Sequence, residues 1–137
     1  MKPLHKILTL GTLPKSDVDM KLYQSIIKIA WYFSDIVTSP IDTAEFQWTM
    51  HQRYKRAFQT VVDADLVIGE QSIPSTGQGM EIRECDILWK PLIVIAKTGS
   101  KVTWLVQWCP ITKDILYYDT IDDMKNKLSE SIQKYFT

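Results

Sequence analysis

Short apolar runs alternate along this chain with longer segments whose apolar residues recur every three or four positions. Runs of four to eight apolar residues bounded by turn residues are typical of β-strands. The fourth run is continuous and β-branched, as in a strand buried on both faces. We predict five strands, at 5–11, 35–38, 65–69, 91–96 and 115–118.

The segments between these runs have the periodicity of amphipathic helices. Ser16 or Asp17 can cap the first helix, and Asp119 or Thr120 the last. The second helix has a basic outer face with Arg53, Lys55 and Arg56. We predict four helices, at 17–33, 44–62, 80–89 and 120–136.

Strands that alternate with helices of this length form a parallel sheet covered by helices on both faces. We therefore predict one α/β domain over residues 1–137, Rossmann-like or flavodoxin-like, with about five parallel strands. Residues 102–108 fit either a short helix or a strand. Trp31 and Trp89 lie on predicted helices and are expected in the core, whereas Trp48, Trp104 and Trp108 are expected to be more exposed.

Composition excludes several classes of function. Lys+Arg and Asp+Glu both number 16, and no basic run provides a surface for a nucleic-acid polymer or an anionic membrane. No apolar run approaches the roughly 20 residues of a membrane span, and the N-terminus lacks the pattern of a signal peptide. We expect a cytoplasmic protein.

The two cysteines, Cys85 and Cys109, and the two histidines, His5 and His51, do not have the spacing of metal ligands. No metal or other cofactor is expected. The cysteines are interpreted as reduced thiols, although one disulfide stays open as an alternative.

The most informative segment follows the third predicted strand and has the sequence Glu70-Gln-Ser-Ile-Pro-Ser-Thr-Gly-Gln-Gly-Met-Glu81. It reads as a strand, a loop with one proline and two glycines, and then a helix with Glu81 in its first turn. Ligands of open α/β sheets bind beyond the carboxyl ends of the strands, and a helix N-terminus there favours an anion. The alternative is an ordinary turn in which the helix dipole favours a glutamate.

Two familiar phosphate motifs do not fit this segment. No Gly-Lys-Ser/Thr follows the glycines, and Gly77-Gln-Gly79 lacks the third glycine of a dinucleotide fingerprint. Asp63 and Asp65 precede the third strand, so they are expected at the opposite edge of the sheet, as caps or surface charges.

The segment Ala64 to Glu81 resembles the nucleoside 2-deoxyribosyltransferase superfamily, and most closely its Rcl-type branch, the 2'-deoxynucleoside 5'-monophosphate N-glycosidases. The shared pattern is a strand, an acidic residue, and Pro-Ser-x-Gly-x-Gly-x-Glu, here Pro74 to Glu81. Weaker similarities extend over nearly the whole chain, at Gly11, Leu22-Tyr23, Lys90 to Val94 and Tyr135-Phe136.

The resemblance implies a reaction and two catalytic residues. Glu81 would attack the anomeric carbon of a nucleotide, expel the base and form a glycosyl-enzyme that water resolves, as in a retaining glycosidase. Tyr23 matches an active-site tyrosine that can orient the nucleophile, although a tyrosine at the edge of the core is an equally open interpretation. The expected activity is hydrolysis of the N-glycosidic bond of a (deoxy)nucleoside 5'-monophosphate.

The resemblance also implies how the substrate is held. Ser75 and the backbone of the loop with Gly77 and Gly79 would bind the 5'-phosphate. The sugar and base would contact Gly11, Thr12 and Leu13. Relatives of this type are homodimers with shared active sites, so a homodimer is expected, with a nucleoside monophosphate or nucleoside as substrate.

Three departures from the family pattern bear on the substrate. The arginines of the first loop are absent, which leaves Lys15 as its positive charge. An aspartate that assists departure of the base corresponds to Ala57, and a phosphate-contacting serine of the neighbouring subunit corresponds to Trp104, beside Thr103. Two alternatives therefore stay open: base exchange between nucleosides, and nucleotide binding without catalysis.

Overall fold

The computed structural model describes residues 2–12, 14–44 and 47–137. A five-stranded, entirely parallel sheet forms its centre, in the order β2-β1-β3-β4-β5, which confirms the predicted fold class. The order reverses between β1 and β3, as in flavodoxin-like sheets. The strands are β1 (Leu4–Leu10), β2 (Ser34–Thr38), β3 (Leu66–Glu70), β4 (Leu92–Lys97) and β5 (Thr112–Tyr118).

Helices cover both faces of the sheet, and alternate strand residues enter two separate cores. On β1, Ile7 packs with α1 and α6, whereas Leu8 faces the side of α3, α4 and α5. Within the described ranges, no helix is long and apolar enough to cross a membrane. The helices are α1 (Asp17–Phe33), α2 (Pro40–Ala44), α3 (Met50–Asp63), α4 (Thr76–Ile87), α5 (Trp104–Gln107) and α6 (Ile121–Phe136).

The ends of the helices depend on capping residues. Ser16 and Thr120 cap α1 and α6, as predicted. The predicted start of the second long helix at residue 44 is wrong. Thr49 and Gln52 form a reciprocal capping box, so α3 begins at Met50. The short α2 before it begins at Pro40, because proline suits the first position of a helix.

Two predicted core tryptophans are exposed. Trp31 and Trp89 have 43% and 73% of their surface accessible, so the prediction for both is wrong. α4 ends at Ile87, two residues before Trp89, and Trp89 adopts a φ of 56° at a position where glycine is usual. Trp104 and Trp108 are exposed as predicted.

Candidate active site

The carboxyl ends of β1 and β3 lie side by side where the strand order reverses. Leu10 pairs with Gly69 in the register of these strands. Beyond the strands, the Thr12 hydroxyl donates a hydrogen bond to the carbonyl of Ile73 (3.0 Å), which joins the two loops. Loops at such a reversal commonly hold the ligand of an open α/β sheet.

The aspartates before β3 have structural roles at the opposite edge. The Asp65 carboxylate accepts hydrogen bonds from the backbone N–H groups of His5 (2.9 Å) and Lys6 (3.0 Å). Asp63 lies 3.9 Å from the Lys6 ammonium. Both aspartates therefore hold the start of β1, away from the ligand edge.

α4 begins four residues earlier than predicted, and this changes the position of Glu81. Ser75 is the N-cap, and its hydroxyl oxygen accepts a hydrogen bond from the Gln78 N–H (3.2 Å). The cap offsets the poor helix propensity of glycine, so Gly77 and Gly79 lie inside the first turns. Glu81 is the sixth helical residue, and its predicted place in the first turn is wrong.

Burial changes the acidity of Glu81. The side chain is half-buried, and desolvation raises its pKa from an ordinary 4.5 to about 7. Burial of the side chain is the cause of this shift. A carboxylate of this kind is poorly solvated and close to its pKa at neutral pH, as is common for catalytic acids and nucleophiles.

Glu81 lines a cavity of about 160 Å³, the Glu81 cavity. Its other walls are the end of β1, including Gly11, the end of β2, including Ser39, and the first turns of α3. Ser39 is 2% exposed, and its hydroxyl has no hydrogen-bond partner among the described residues. Ala57 lines this cavity too, so the departure from the family pattern at this position lies beside the candidate nucleophile.

Two arginines of α3 also line the Glu81 cavity. Arg53 is half-buried and donates a hydrogen bond from Nε to the carbonyl of Trp48 (3.4 Å), whereas Arg56 is exposed. The exposed Arg56 agrees with the predicted outer face of the helix, and the half-buried Arg53 lies at the border of that face. Helical periodicity separates inner from outer faces, but α3 starts at the carboxyl edge of the sheet, where its first turns form a rim.

A second acidic residue occupies the other face of the sheet at the same edge. Glu70 is 5% exposed, accepts a hydrogen bond from the Tyr118 hydroxyl (2.7 Å), and accepts another from the Ser72 N–H. It lines a cavity of about 200 Å³ with Tyr23 and Lys15, the Glu70 cavity.

The two tyrosines of this group stay protonated. Burial raises the pKa of Tyr23 and of Tyr118 above the usual value, and the charge of Glu70 raises both further. Each therefore acts as a hydroxyl group and not as a phenolate over the physiological pH range.

The predicted site residues divide between these two cavities. Gly11 lines the Glu81 cavity, whereas Thr12 and Tyr23 line the Glu70 cavity. A β-carbon on Gly11 would lie 2.1 Å from the Tyr23 hydroxyl oxygen, so the two cavities meet at this glycine.

The remaining predicted residues lie at the start of α4 or outside the described ranges. Ser75, Gly77 and Gly79 are all exposed there. Leu13 lies outside the described residues. Within the described part of the chain, no group of three or more His, Cys, Asp or Glu side chains could hold a metal ion.

Solved structures with the same fold include an N-glycosidase and a 2-deoxyribosyltransferase. A CMP N-glycosidase of Clostridium botulinum, BcmB, has a TM-score of 0.72 and 16% identity over 91% of this chain and 98% of its own. A 2-deoxyribosyltransferase of Bacillus psychrosaccharolyticus has a TM-score of 0.64 and 18% identity over 88% and 90% of the two chains.

A conserved protein of Enterococcus faecalis V583 is also similar, with a TM-score of 0.68 and 13% identity over 96% of this chain and 98% of its own. No protein-family model matches this chain, and no curated protein is significantly similar to it in sequence. At these identities the likeness establishes a shared fold, which is the fold that the sequence resemblance implied.

Proposed function

We propose that this protein is an enzyme that hydrolyses the N-glycosidic bond of a nucleoside 5'-monophosphate, with Glu81 as the nucleophile. The observation that carries the proposal is the half-buried Glu81, with a pKa raised to about 7, in a cavity at the carboxyl ends of β1 and β2. The sequence from Pro74 to Glu81 supports it, as do the N-glycosidase and the 2-deoxyribosyltransferase of the same fold.

The reaction would proceed in two displacements. A carboxylate oxygen of Glu81 bonds to the anomeric carbon as the bond from that carbon to the base breaks. Water then attacks the same carbon and releases the sugar phosphate, which returns the electron pair to Glu81. Burial favours the first step, because a poorly solvated carboxylate loses little hydration when it attacks.

The substrate would extend from the start of α4 into the Glu81 cavity. Ser75 precedes Glu81 by six residues, or about 9 Å along a helix, so the two residues can contact the phosphate and the sugar of one nucleotide. The cavity of about 160 Å³ takes only part of a ligand, since ligand sites usually exceed about 300 Å³. Gly77 and Gly79 leave open space beside the first turns for the rest of the substrate.

We propose an indirect role for Tyr23. Its hydroxyl lies against Gly11, which lines the Glu81 cavity, so the tyrosine would fix the backbone on which the sugar rests. Tyr23 would then be a positioning residue, which acts through the backbone of Gly11 on the sugar of the substrate.

We also propose that the protein is a cytoplasmic homodimer. Trp104 and Trp108 expose 68% and 81% of their surface on one short helix and its end, and exposed aromatic clusters often mark interfaces. Both cysteines are free thiols, which suits a reducing compartment. Light scattering should give the mass of a dimer, and Trp104→Ser together with Trp108→Ser should give that of a monomer.

Mass spectrometry of the intact protein tests the reaction directly. A 2-fluoro-substituted nucleotide should leave a glycosyl adduct on the wild type and none on Glu81→Gln. Glu84→Gln is the matched control, because it changes a glutamate one turn along α4 that does not line the Glu81 cavity. Absence of both an adduct and base release over a broad panel of nucleotides would refute the proposal. A nucleotide that raises the melting temperature but is recovered intact would indicate a binding protein.

Base exchange is the second candidate, favoured by the likeness to a 2-deoxyribosyltransferase. A second base would then replace water at the glycosyl-enzyme. A free base that accelerates consumption of a first nucleoside, with formation of a new nucleoside, would identify transfer. If added bases have no effect on the rate, hydrolysis is the reaction.

A further inference from the structure

The sugar of the proposed substrate must enter the Glu81 cavity, because Glu81 lines this space and attacks the anomeric carbon. The volume of about 160 Å³ admits only part of a nucleotide. Among the described residues that line the cavity there is no aromatic side chain, the usual stacking surface for a base. The lining is therefore better suited to the sugar than to the base.

Hydroxyl side chains from β1, α3 and the end of β2 line the cavity, and one of them is unlike the others. The Thr9 hydroxyl donates to the carbonyl of Thr38 (3.3 Å). The Thr60 hydroxyl donates to the carbonyl of Ala57 (2.7 Å). The Ser39 side chain also lines the cavity and is 2% exposed, but its hydroxyl has no hydrogen-bond partner among the described residues.

Asp42 holds the backbone of Ser39 in place. The Ser39 N–H donates to the Asp42 carboxylate (2.8 Å), and the Ser39 carbonyl accepts a hydrogen bond from the Asp42 N–H (3.2 Å). A serine just before a helix usually accepts a hydrogen bond from the first turn through its side-chain oxygen. Here the backbone carbonyl accepts that bond, so the serine is fixed while its hydroxyl stays available to a ligand.

Unpartnered buried polar atoms are concentrated near the candidate nucleophile. Within the described part of the chain, Ser39 and Gln78 are the residues whose buried side-chain polar atoms lack a hydrogen-bond partner. Gln78 precedes Glu81 by three residues on α4, so the two are neighbours on one side of the helix. Buried polar groups are usually hydrogen-bonded, so an exception in the wall of a cavity indicates a group that a ligand can pair with. Ser39 lines the cavity and Gln78 does not, which makes Ser39 the residue within reach of a ligand.

We infer that Ser39 binds the 2'-hydroxyl of the sugar, and that the substrates are ribonucleoside 5'-monophosphates. This inference rests on the proposed function and specifies its sugar. C2' is bonded to the anomeric carbon, so its hydroxyl is the ring hydroxyl nearest to the bond that breaks. A serine hydroxyl and a sugar hydroxyl can each donate and accept, so the pair can form in either direction.

Two effects favour ribose over 2-deoxyribose at such a contact. A hydrogen bond to the 2'-hydroxyl strengthens as the anomeric carbon becomes positive in the transition state. A deoxyribose would leave the buried serine hydroxyl without a partner, and a site built around a polar group discriminates strongly against an analogue that lacks the matching hydroxyl. Ser39 is then a specificity-determining residue that contacts the substrate.

Other parts of a nucleotide could also pair with Ser39. Arg53 and Arg56 line the same cavity, and guanidinium groups commonly bind phosphate. A base also carries hydrogen-bonding groups on its edge. The sugar is favoured because the nucleophile and Ser39 line one cavity that is too small for a whole nucleotide. The base and the phosphate are outcomes that the experiment separates.

Two serines at the ends of β2 provide a matched pair of variants. The buried Ser34 hydroxyl donates to the carbonyls of His5 (3.0 Å) and Ile36 (2.7 Å) at the start of the strand. Ser34→Ala should therefore lower Tm and keep the wild-type ratio of substrates. Ser39→Ala removes a hydroxyl that has no partner among the described residues, so it should keep the wild-type Tm and change the ratio.

Base release should be measured for the four common ribonucleoside 5'-monophosphates and for their 2'-deoxy and 3'-deoxy counterparts. We expect the wild type to favour the ribonucleotide over its 2'-deoxy counterpart. Ser39→Ala should lower kcat/KM about tenfold for ribonucleotides and less than about twofold for 2'-deoxynucleotides, since one hydrogen bond is lost. The loss should be the same for each base that is cleaved, and it should persist with 3'-deoxy substrates.

Binding of the sugar phosphate provides a readout that does not need turnover. Calorimetry should show that ribose 5-phosphate binds the wild type more tightly than 2-deoxyribose 5-phosphate, and Ser39→Ala should abolish the difference. These ligands carry no base, so a contact between Ser39 and the base cannot produce this result.

Four results would overturn the inference. Ser39→Ala could slow ribonucleotides and 2'-deoxynucleotides equally, or leave both rates unchanged. It could change the ranking of the bases, which would assign the serine to the base. It could instead remove the preference for a monophosphate over a nucleoside, which would assign it to the phosphate. Each of these leaves the proposed hydrolysis intact.

Failure of the proposed hydrolysis gives a different result. No nucleotide would then be cleaved or trapped, and the calorimetry alone would decide. A preference for ribose 5-phosphate that Ser39→Ala abolishes would retain the sugar contact in a binding protein, whereas equal binding of both sugar phosphates by the wild type would remove the contact as well.

Discussion

The hydroxyl oxygen of Tyr23 lies 2.1 Å from the point that a β-carbon on Gly11 would occupy. Heavy atoms do not approach so closely, so this glycine and this tyrosine depend on each other. Tyr23 is 4% exposed and packed in the core, and it has little room to move away. The backbone at the end of β1 and the first turns of α1 therefore form one unit at the meeting point of the two cavities.

Gly11→Ala should destabilise the protein by about 1–3 kcal/mol, the usual cost of overpacking, because Tyr23 must shift. Denaturant unfolding measures the loss. Base release should also slow, since Gly11 lines the Glu81 cavity. The double variant Gly11→Ala, Tyr23→Phe removes the nearest clashing atom and should regain part of the stability. An unchanged midpoint for Gly11→Ala would contradict the close contact.

Gly79→Ala should have the opposite effect on stability. A β-carbon there meets no atom within 4 Å, and alanine in place of glycine inside a helix stabilises it by roughly 0.5–1 kcal/mol. If the first turns of α4 hold the phosphate, the added methyl group should weaken nucleotide binding at the same time. Calorimetry with a nucleoside monophosphate, beside the melting temperature, checks both effects. A variant that is more stable and binds equally well would remove Gly79 from the phosphate site.

Glu81→Gln should stabilise the protein at pH 8. The folded pKa of about 7 exceeds the ordinary 4.5, so between these values the folded state keeps a proton that the unfolded state has lost. The free energy of unfolding therefore falls as pH rises through this window. Glutamine does not ionise, and the variant should gain about 1–3 kcal/mol above pH 7 and nothing below pH 4.5. Urea unfolding at both pH values measures the gain, and equal gains at both would refute the assignment.

The same pKa predicts how the rate depends on pH. Only the ionised Glu81 can attack, so kcat/KM should rise about tenfold per pH unit below a midpoint near 7 and then level off. The profile should be recorded for one nucleoside 5'-monophosphate at constant ionic strength. A midpoint near 4.5 would show that Glu81 is solvated in the free enzyme.

Tyr118→Phe tests the acidic group on the opposite face. The change removes the hydroxyl that donates to the buried Glu70 carboxylate (2.7 Å) and should cost about 1–3 kcal/mol of stability. Tyr117→Phe, at the neighbouring position on β5, is the control. Because Glu70 and Glu81 lie on different faces of the sheet, kcat should stay near the wild-type value at temperatures where the variant is folded. A large loss of kcat would instead place Glu70 in the reaction.

The sequence predicts the parallel sheet and places Glu81 on the helix that follows the third strand, and the structure agrees with both. Continuous apolar runs such as 92–96 predict buried strands, and alternation with helices predicts parallel connections. The start of α4 was missed because Gly77 and Gly79 suggest a loop, whereas the cap at Ser75 determines where the helix begins. Helix propensity is averaged over several residues, and a single hydrogen-bonded N-cap can start a helix where the average propensity is poor.

The place of two arginines in the Glu81 cavity has no signal in the sequence for a different reason. Periodicity assigns Arg53 and Arg56 to the polar side of α3, but it does not indicate that this side borders a cavity at the edge of the sheet. The burial of Glu81 and the contact of Tyr23 with Gly11 depend on packing between segments far apart in sequence. Contacts of this kind cannot be predicted from the residues of a single segment.

The candidate nucleophile Glu81 and the arginines that line its cavity belong to different crossover connections, α4 after β3 and α3 before it. Substitutions in the first turns of α3 can therefore change the lining of the Glu81 cavity while the helix that carries Glu81 keeps its own N-cap at Ser75. For the proposed hydrolysis, the segment 50–57 is therefore the natural target for redesigning the substrate range, because it can be varied separately from the segment that carries Glu81.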